Sequence, residues 1–187
     1  MSATLEKSHL VILDLDETLI YASDEGDLAE WDFEVPPFKV RKRPHVDEFV
    51  AAVTDWFDVA VWTSSSENYG LEMVNHLFPH PERLRFMWSR RRCTWQRMPE
   101  TGECYWAKNL KKVRRMGYPL ERVIVVDNEA RGLRQSYGNV VAVKSFLGQS
   151  TDEDLLLLTR YLGWLRTISN VRTVDKRNWK EHFSVSA

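Results

Sequence analysis

Four short and nearly unbroken apolar runs, each closed by a polar cluster, limit this chain to few folds. Leu10-Val11-Ile12-Leu13 leads into Asp14-Leu15-Asp16-Glu17-Thr18, and Asp58-Val59-Ala60-Val61-Trp62 leads into Thr63-Ser64-Ser65-Ser66. Arg122-Val123-Ile124-Val125-Val126 leads into Asp127-Asn128-Glu129, and Val140-Val141-Ala142-Val143 into Lys144-Ser145. A strand with one wet face alternates apolar and polar residues. These runs do not alternate, so they read as strands covered on both faces, the habit of a parallel sheet.

Helical spacing fills the gaps between the runs. Val46, Phe49, Val50, Val53 and Phe57 share one helix face, with Pro44 suited to the first turn. Ser64 and Glu67 have the spacing of a capping box for a helix carrying Tyr69, Met73, Val74 and Leu77. A third helix is predicted over 108–116, with Leu110, Val113 and Met116 inward and Gly117 as its stop. A fourth opens at Ser150 and Glu153 and carries Leu155, Leu158, Tyr161, Leu162 and Leu165. Strands alternating with helices give an α/β fold with a parallel sheet flanked by helices. Residues 21–43 and 85–106 break the alternation; both read as small flaps, the second folded at Pro99-Glu100-Thr101-Gly102, and neither is long enough for a large cap. No repeat or linker divides the 187 residues, so 1–187 is expected to form a single domain.

Other classes drop out. No apolar run approaches the roughly 20 residues that span a bilayer, and Met1–Lys7 has no apolar signal core. The expected setting is therefore soluble and intracellular, cytoplasmic or, in a eukaryote, nuclear. Cys93 and Cys104 are too few for a disulfide framework and are expected to be free thiols. His76 and His80 are four apart, but Pro79 interrupts any helix that would offer both to zinc. The net charge of −1 hides an asymmetry: residues 81–115 hold 11 Lys or Arg against 3 Asp or Glu, a net of +8, which leaves −9 elsewhere. Such a segment can steer an anionic partner.

Ligands of an open parallel sheet bind beyond the carboxyl ends of its strands. Those ends here carry Asp14 and Asp16, Thr63 and Ser64, and Asp127 and Asn128. Carboxylates gathered at apolar strand ends repel one another, and Mg²⁺, which prefers oxygen ligands, accounts for their being together. No phosphate-loop, dinucleotide or nucleophile-elbow glycine pattern competes. A receiver domain also uses Asp, Thr and Lys, but in a different order along the chain.

Val11-Ile12-Leu13-Asp14-Leu15-Asp16-Glu17-Thr18-Leu19 resembles the Asp-x-Asp-x-Thr signature of the haloacid dehalogenase superfamily. Lys42-Arg43-Pro44-His45-Val46-Asp47-Glu48-Phe49 resembles its small carboxy-terminal-domain phosphatases, the NLI-interacting-factor family. Trp62-Thr63-Ser64-Ser65, Tyr105-Trp106-Ala107-Lys108-Asn109-Leu110 and Val125-Val126-Asp127-Asn128 resemble that family's later motifs, in order, across roughly residues 8–170. Glu129-Ala130 stands where a Ser-Pro pair is common.

The resemblance implies a Rossmann-like, haloacid dehalogenase-like fold and a Mg²⁺-dependent phosphoric monoester hydrolase working through an aspartyl-phosphate. In that reading Asp14 is the nucleophile and Asp16 the general acid and base. Thr63, Ser64 and Lys108 bind the phosphoryl group. Asp14, the Asp16 backbone carbonyl and Asn128 hold the metal, and Asp127 orients Lys108 or a metal-bound water. The expected substrate is phosphoserine or phosphothreonine in a protein. The second reading is a phosphatase of a nucleic-acid end, which Arg90, Arg91 and Arg92 among Trp88 and Trp95 would suit, or of a small metabolite; the third is an inactive binding module.

Overall fold

The computed structural model describes residues 9–26 and 28–181; the first seven residues, read above for a signal, lie outside them. The four apolar runs form β1 (Leu10–Leu13), β5 (Asp58–Trp62), β9 (Val123–Asp127) and β10 (Val140–Ala142). A two-residue strand, β6 (Met87–Trp88), completes a five-stranded sheet in the order β10-β9-β1-β5-β6, parallel throughout. In register, Leu13 lies between Val61 and Val126.

The unbroken apolar runs have the cause expected of them. Val11, Leu13, Val59, Val61, Ile124 and Val126 face one core, packed beneath α1 (Val46–Trp56), α2 (Glu67–Leu77) and α4 (Asp154–Leu165). Leu10, Ile12, Ala60, Trp62, Val123 and Val125 face the other, with Leu110, Val113 and Leu133. Burying such a side chain contributes roughly 1.5–3 kcal/mol, so neither face tolerates a polar residue.

Helix ends differ from the expectation. Pro44 precedes the helix, which starts at Val46 after His45 in the left-handed region (φ 66°). The cap of α2 is Ser66, whose hydroxyl accepts from the Tyr69 N–H, not Ser64. Glu153, rather than Ser150, precedes α4. The predicted 108–116 helix shrinks to α3 (Lys111–Arg114). The Lys108 N–H is already spent on the Gly132 carbonyl (2.9 Å), and Met116 is exposed. Gly117, in the left-handed region (φ 95°), closes the turn that follows Arg114, its N–H on the Arg114 carbonyl (3.0 Å).

Both flaps are β structure. β2 (Ile20–Ser23), β3 (Phe33–Val35) and β4 (Phe38–Lys42) form an antiparallel sheet, and β7 (Thr94–Arg97) pairs with β8 (Cys104–Ala107) as a hairpin turning where the sequence placed it. No helix among the described residues is long and apolar enough to cross a membrane.

Candidate active site

The site grows out of three adjacent strand ends. Asp14 follows β1, with its N–H on the Val126 carbonyl (3.0 Å); Thr63 follows β5; Asp127 is the last residue of β9. Lys108 follows β8, and its ammonium donates to Asp14 Oδ1 and Asp127 Oδ2, each at 2.7 Å. All three side chains are buried. Gly132, whose carbonyl takes the Lys108 N–H, eases this close approach, since a Cβ there would lie a tight 3.1 Å from the Trp106 carbonyl oxygen.

Asp16 is held differently. Its Oδ2 accepts from Ser65 Oγ at 2.8 Å, with Thr63 Oγ1 at 3.5 Å, and its Oδ1 accepts from the Tyr69 hydroxyl. Burial and the Asp16 carboxylate push the Tyr69 hydroxyl well above its ordinary range, so it stays a donor. Thr63 is fully buried and its Oγ1 also accepts from the Ser65 N–H (3.0 Å), so it reaches toward Asp16 instead of lining the cavity. Ser64 does line it.

A tight turn over 15–20 brings β1 into the first flap, with Glu17 in the left-handed region (φ 57°). It ties two strand ends together. Thr18 Oγ1 donates to Asn128 Oδ1 and accepts from the Asn128 N–H, both at 3.1 Å. The Asn128 amide nitrogen donates to Glu17 and to Ser145, also at 3.1 Å each. Asp14, Asp16, Glu17, Lys108, Asp127 and Asn128 meet on a cavity of about 410 Å³.

The charges on this cavity do not balance. One ammonium serves Asp14 and Asp127, with Asp16 close by. Burial pushes the Asp14 carboxyl up to about 7; Lys108 opposes this, and Asp127 and Asp16 add to it. Burial also works against the Lys108 ammonium, but its two carboxylate partners win and raise it. Uncompensated negative charge among carboxylate, carbonyl and amide oxygens fits a hard divalent cation such as Mg²⁺. No group of three or more His, Cys, Asp or Glu suited to holding a metal occurs among the described residues, so a zinc-type cage is absent there.

The structure therefore brings together Asp14, Asp16, Ser64, Lys108, Asp127 and Asn128 on one cavity, with Thr63 behind it. Sequence reading missed Tyr69, taken for a helix-face apolar residue, and Glu17. The signal for Tyr69 was its place in the first turn after the Thr63–Ser66 cluster, which points its hydroxyl back at the strand ends. Trp88 is not a free stacking surface: it is buried against Phe86 and Trp62.

Comparison with known proteins agrees with this geometry. The family model described as NLI interacting factor-like phosphatase matches residues 9–172. CTD nuclear envelope phosphatase 1 of Xenopus laevis is 32% identical over 191 residues, an alignment covering 94% of this chain and 75% of that protein. CTD small phosphatase-like protein 2 of Dictyostelium discoideum is 27% identical, over 94% of this chain and 30% of its own length. Among solved structures, Fcp1, described as an essential RNA polymerase II CTD phosphatase, superposes with a TM-score of 0.56 at 16% identity. That alignment covers 90% of this chain and 52% of the Fcp1 chain, and shows the shared fold.

Proposed function

This chain belongs to the NLI interacting factor-like phosphatase family, and we propose that it hydrolyses phosphoserine or phosphothreonine in proteins through an aspartyl-phosphate on Asp14. One observation carries the reading: one buried ammonium, Lys108, lies 2.7 Å from both Asp14 and Asp127 on the wall of an acidic cavity.

Asp14 supplies the attacking oxygen. A carboxylate needs no partner base, only relief from its repulsion of the phosphate. Lys108 provides part of that relief as a compact charge, and its bond to Asp127 fixes where the ammonium points. Asp14, the Asp16 carbonyl and Asn128 would hold Mg²⁺, which when bound supplies the remaining positive charge. Asp16 gives a proton to the departing serine or threonine oxygen and later takes one from water. Ser65 and Tyr69 hold its carboxylate over the cavity for both steps. Ser64, on the cavity wall, adds a donor beside the transferring group, while Thr63 acts from behind by steadying Asp16 and the Ser65 backbone. Phosphoryl transfer depends chiefly on such positioning and electrostatics.

Relatives named as CTD phosphatases support a protein substrate, and relatives named for the nuclear envelope support a nuclear setting. The whole chain, 1–187, acts as one domain in this reading. The test is a turnover screen, with Mg²⁺ and with EDTA, on phosphopeptides, 5′-phosphorylated oligonucleotides and sugar phosphates. Phosphopeptides are expected to lead by tenfold or more in kcat/KM, and only with Mg²⁺. An oligonucleotide or sugar phosphate in the lead overturns the substrate class.

A further inference from the structure

Trp106 is a part of the cavity wall that phosphoryl transfer does not call for. Among the residues lining the cavity it is the only aromatic one, and it stands two residues before Lys108. In the hairpin register Trp95 lies directly opposite, with ring centres 4.5 Å apart, and Trp95 is 55% exposed. The Arg90 guanidinium lies over the Trp106 ring at 5.6 Å, and its Nε donates to the Ser64 carbonyl (2.6 Å), which fixes the indole beside the phosphate-binding loop. A half-buried indole on the cavity wall, with an exposed one against it, gains from covering a flat apolar group carried by whatever bears the phosphate.

We propose that Trp106, backed by Trp95, is a substrate platform that takes an aromatic side chain next to the phosphorylated residue of a peptide. The proposal rests on the phosphatase reading above and adds to it the chemistry of the flanking residue. Charge favours a peptide over a nucleic acid here. Single-stranded nucleic acids need a basic groove along the backbone and successive stacking surfaces. Of the arginine run, Arg91 pairs with Glu67 and Arg92 lies over the buried Trp88, which leaves Arg90, held over Trp106 and on the Ser64 carbonyl. The cavity itself adds the carboxylates of Glu17 and Glu129, which repel further phosphates.

The test uses two phosphoserine peptides that differ only in Phe or Ala beside the phosphoserine. Wild-type protein is expected to prefer the Phe peptide by roughly three- to tenfold in kcat/KM, carried by KM. Trp106→Ala brings that ratio to about one, and Trp106→Phe keeps part of it. A wild-type ratio near one, or a preference that survives in Trp106→Ala, overturns the platform. So does a 5′-phosphorylated oligonucleotide that outperforms the Phe peptide and loses its advantage in Trp106→Ala, since the indole would then serve a base. Calorimetric binding of both peptides to Asp14→Asn protein separates this claim from the reading beneath it. A wild type that turns over no phosphate ester contradicts the phosphatase reading. The affinity ratio of the two peptides decides the platform independently, and equal or undetectable binding overturns it.

Discussion

Two buried clusters in this molecule are built from the same parts and behave as opposites. Arg43, fully buried, donates from Nε and Nη2 to the two oxygens of Asp152 (2.8 and 2.9 Å), again from Nη2 to Asp154 (3.0 Å), and from Nη1 to the Thr18 carbonyl (3.0 Å). Lys180 adds a second cation on Asp154. Two cations meet two carboxylates, and the planar guanidinium fork is filled. At the strand ends, one ammonium meets Asp14 and Asp127 with Asp16 nearby, and the surplus faces a cavity. The neutral cluster clamps the first flap to the start of α4. The unbalanced one is left to be completed by a metal and a phosphoryl group. Thr18 joins them, since its carbonyl serves Arg43 and its hydroxyl serves Asn128.

Removing one charged partner from each cluster, a carboxylate from the unbalanced one and the guanidinium from the neutral one, should therefore have opposite consequences. Asp14→Asn is expected to lower turnover by at least about a thousandfold, since the attacking oxygen is gone. Its melting temperature without metal should match or exceed that of wild type, because one repelling charge has left. Wild-type-like turnover in pure variant protein would remove the mechanism.

Asp16→Asn keeps the backbone carbonyl and tests the proton. The expected loss is about 10²–10⁴-fold on a phosphoserine peptide and far less on p-nitrophenyl phosphate, whose leaving group needs little protonation. Equal losses on the two substrates would reassign Asp16 to positioning.

Arg43→Met belongs to the other cluster and should act on stability. Stranding Asp152, while Lys180 stays on Asp154, costs about 3–5 kcal/mol, read by denaturant unfolding. The folded fraction should keep far more activity than Asp14→Asn does. A stable but inactive Arg43→Met protein would show that the clamp and the catalytic site are not separable.

The smallest effect concerns pH. Burial works to raise the Asp152 carboxyl, but the bonds and charge of Arg43 hold it below the ordinary aspartate value. In the acid range the unfolded chain then binds the proton first, so this contribution is present above the ordinary value and fades as pH falls through the folded one. Wild-type melting temperature should thus drop more steeply than that of Arg43→Met below about pH 5. Parallel slopes would show that Arg43 does not depress Asp152.

What the sequence made legible follows the same division. The apolar runs located four of the five sheet strands and put Asp14, Thr63 and Asp127 at adjacent ends, because burial on both faces leaves a pattern in consecutive residues. Met87–Trp88 was not legible, since a two-residue strand has no period and is set by its pairing with Val61 and Trp62. The 108–116 helix was overextended because Leu110 and Val113 keep helical spacing while the Lys108 backbone is claimed by Gly132. Ser64 lost the cap to Ser66 because the Ser64 and Ser65 carbonyls accept from Arg90, and Ser65 Oγ serves Asp16. The basic excess in 81–115 was visible as a number, but its division into Arg91 on Glu67, Arg92 on Trp88 and Arg90 on Trp106 depends on tertiary contacts. The neutral clamp was hidden as well, since Arg43 and Asp152 lie 109 residues apart.

The most direct measurement of the account is acid-quenched single turnover with Mg²⁺ and a phosphoserine peptide, followed by mass spectrometry of the enzyme fragment containing Asp14. The account predicts one phosphoryl group on Asp14, appearing and decaying within the turnover, absent with EDTA and absent in Asp14→Asn protein. Product formed by wild-type protein with no phosphoryl group on Asp14 at any quench time, together with turnover by Asp14→Asn, would contradict it.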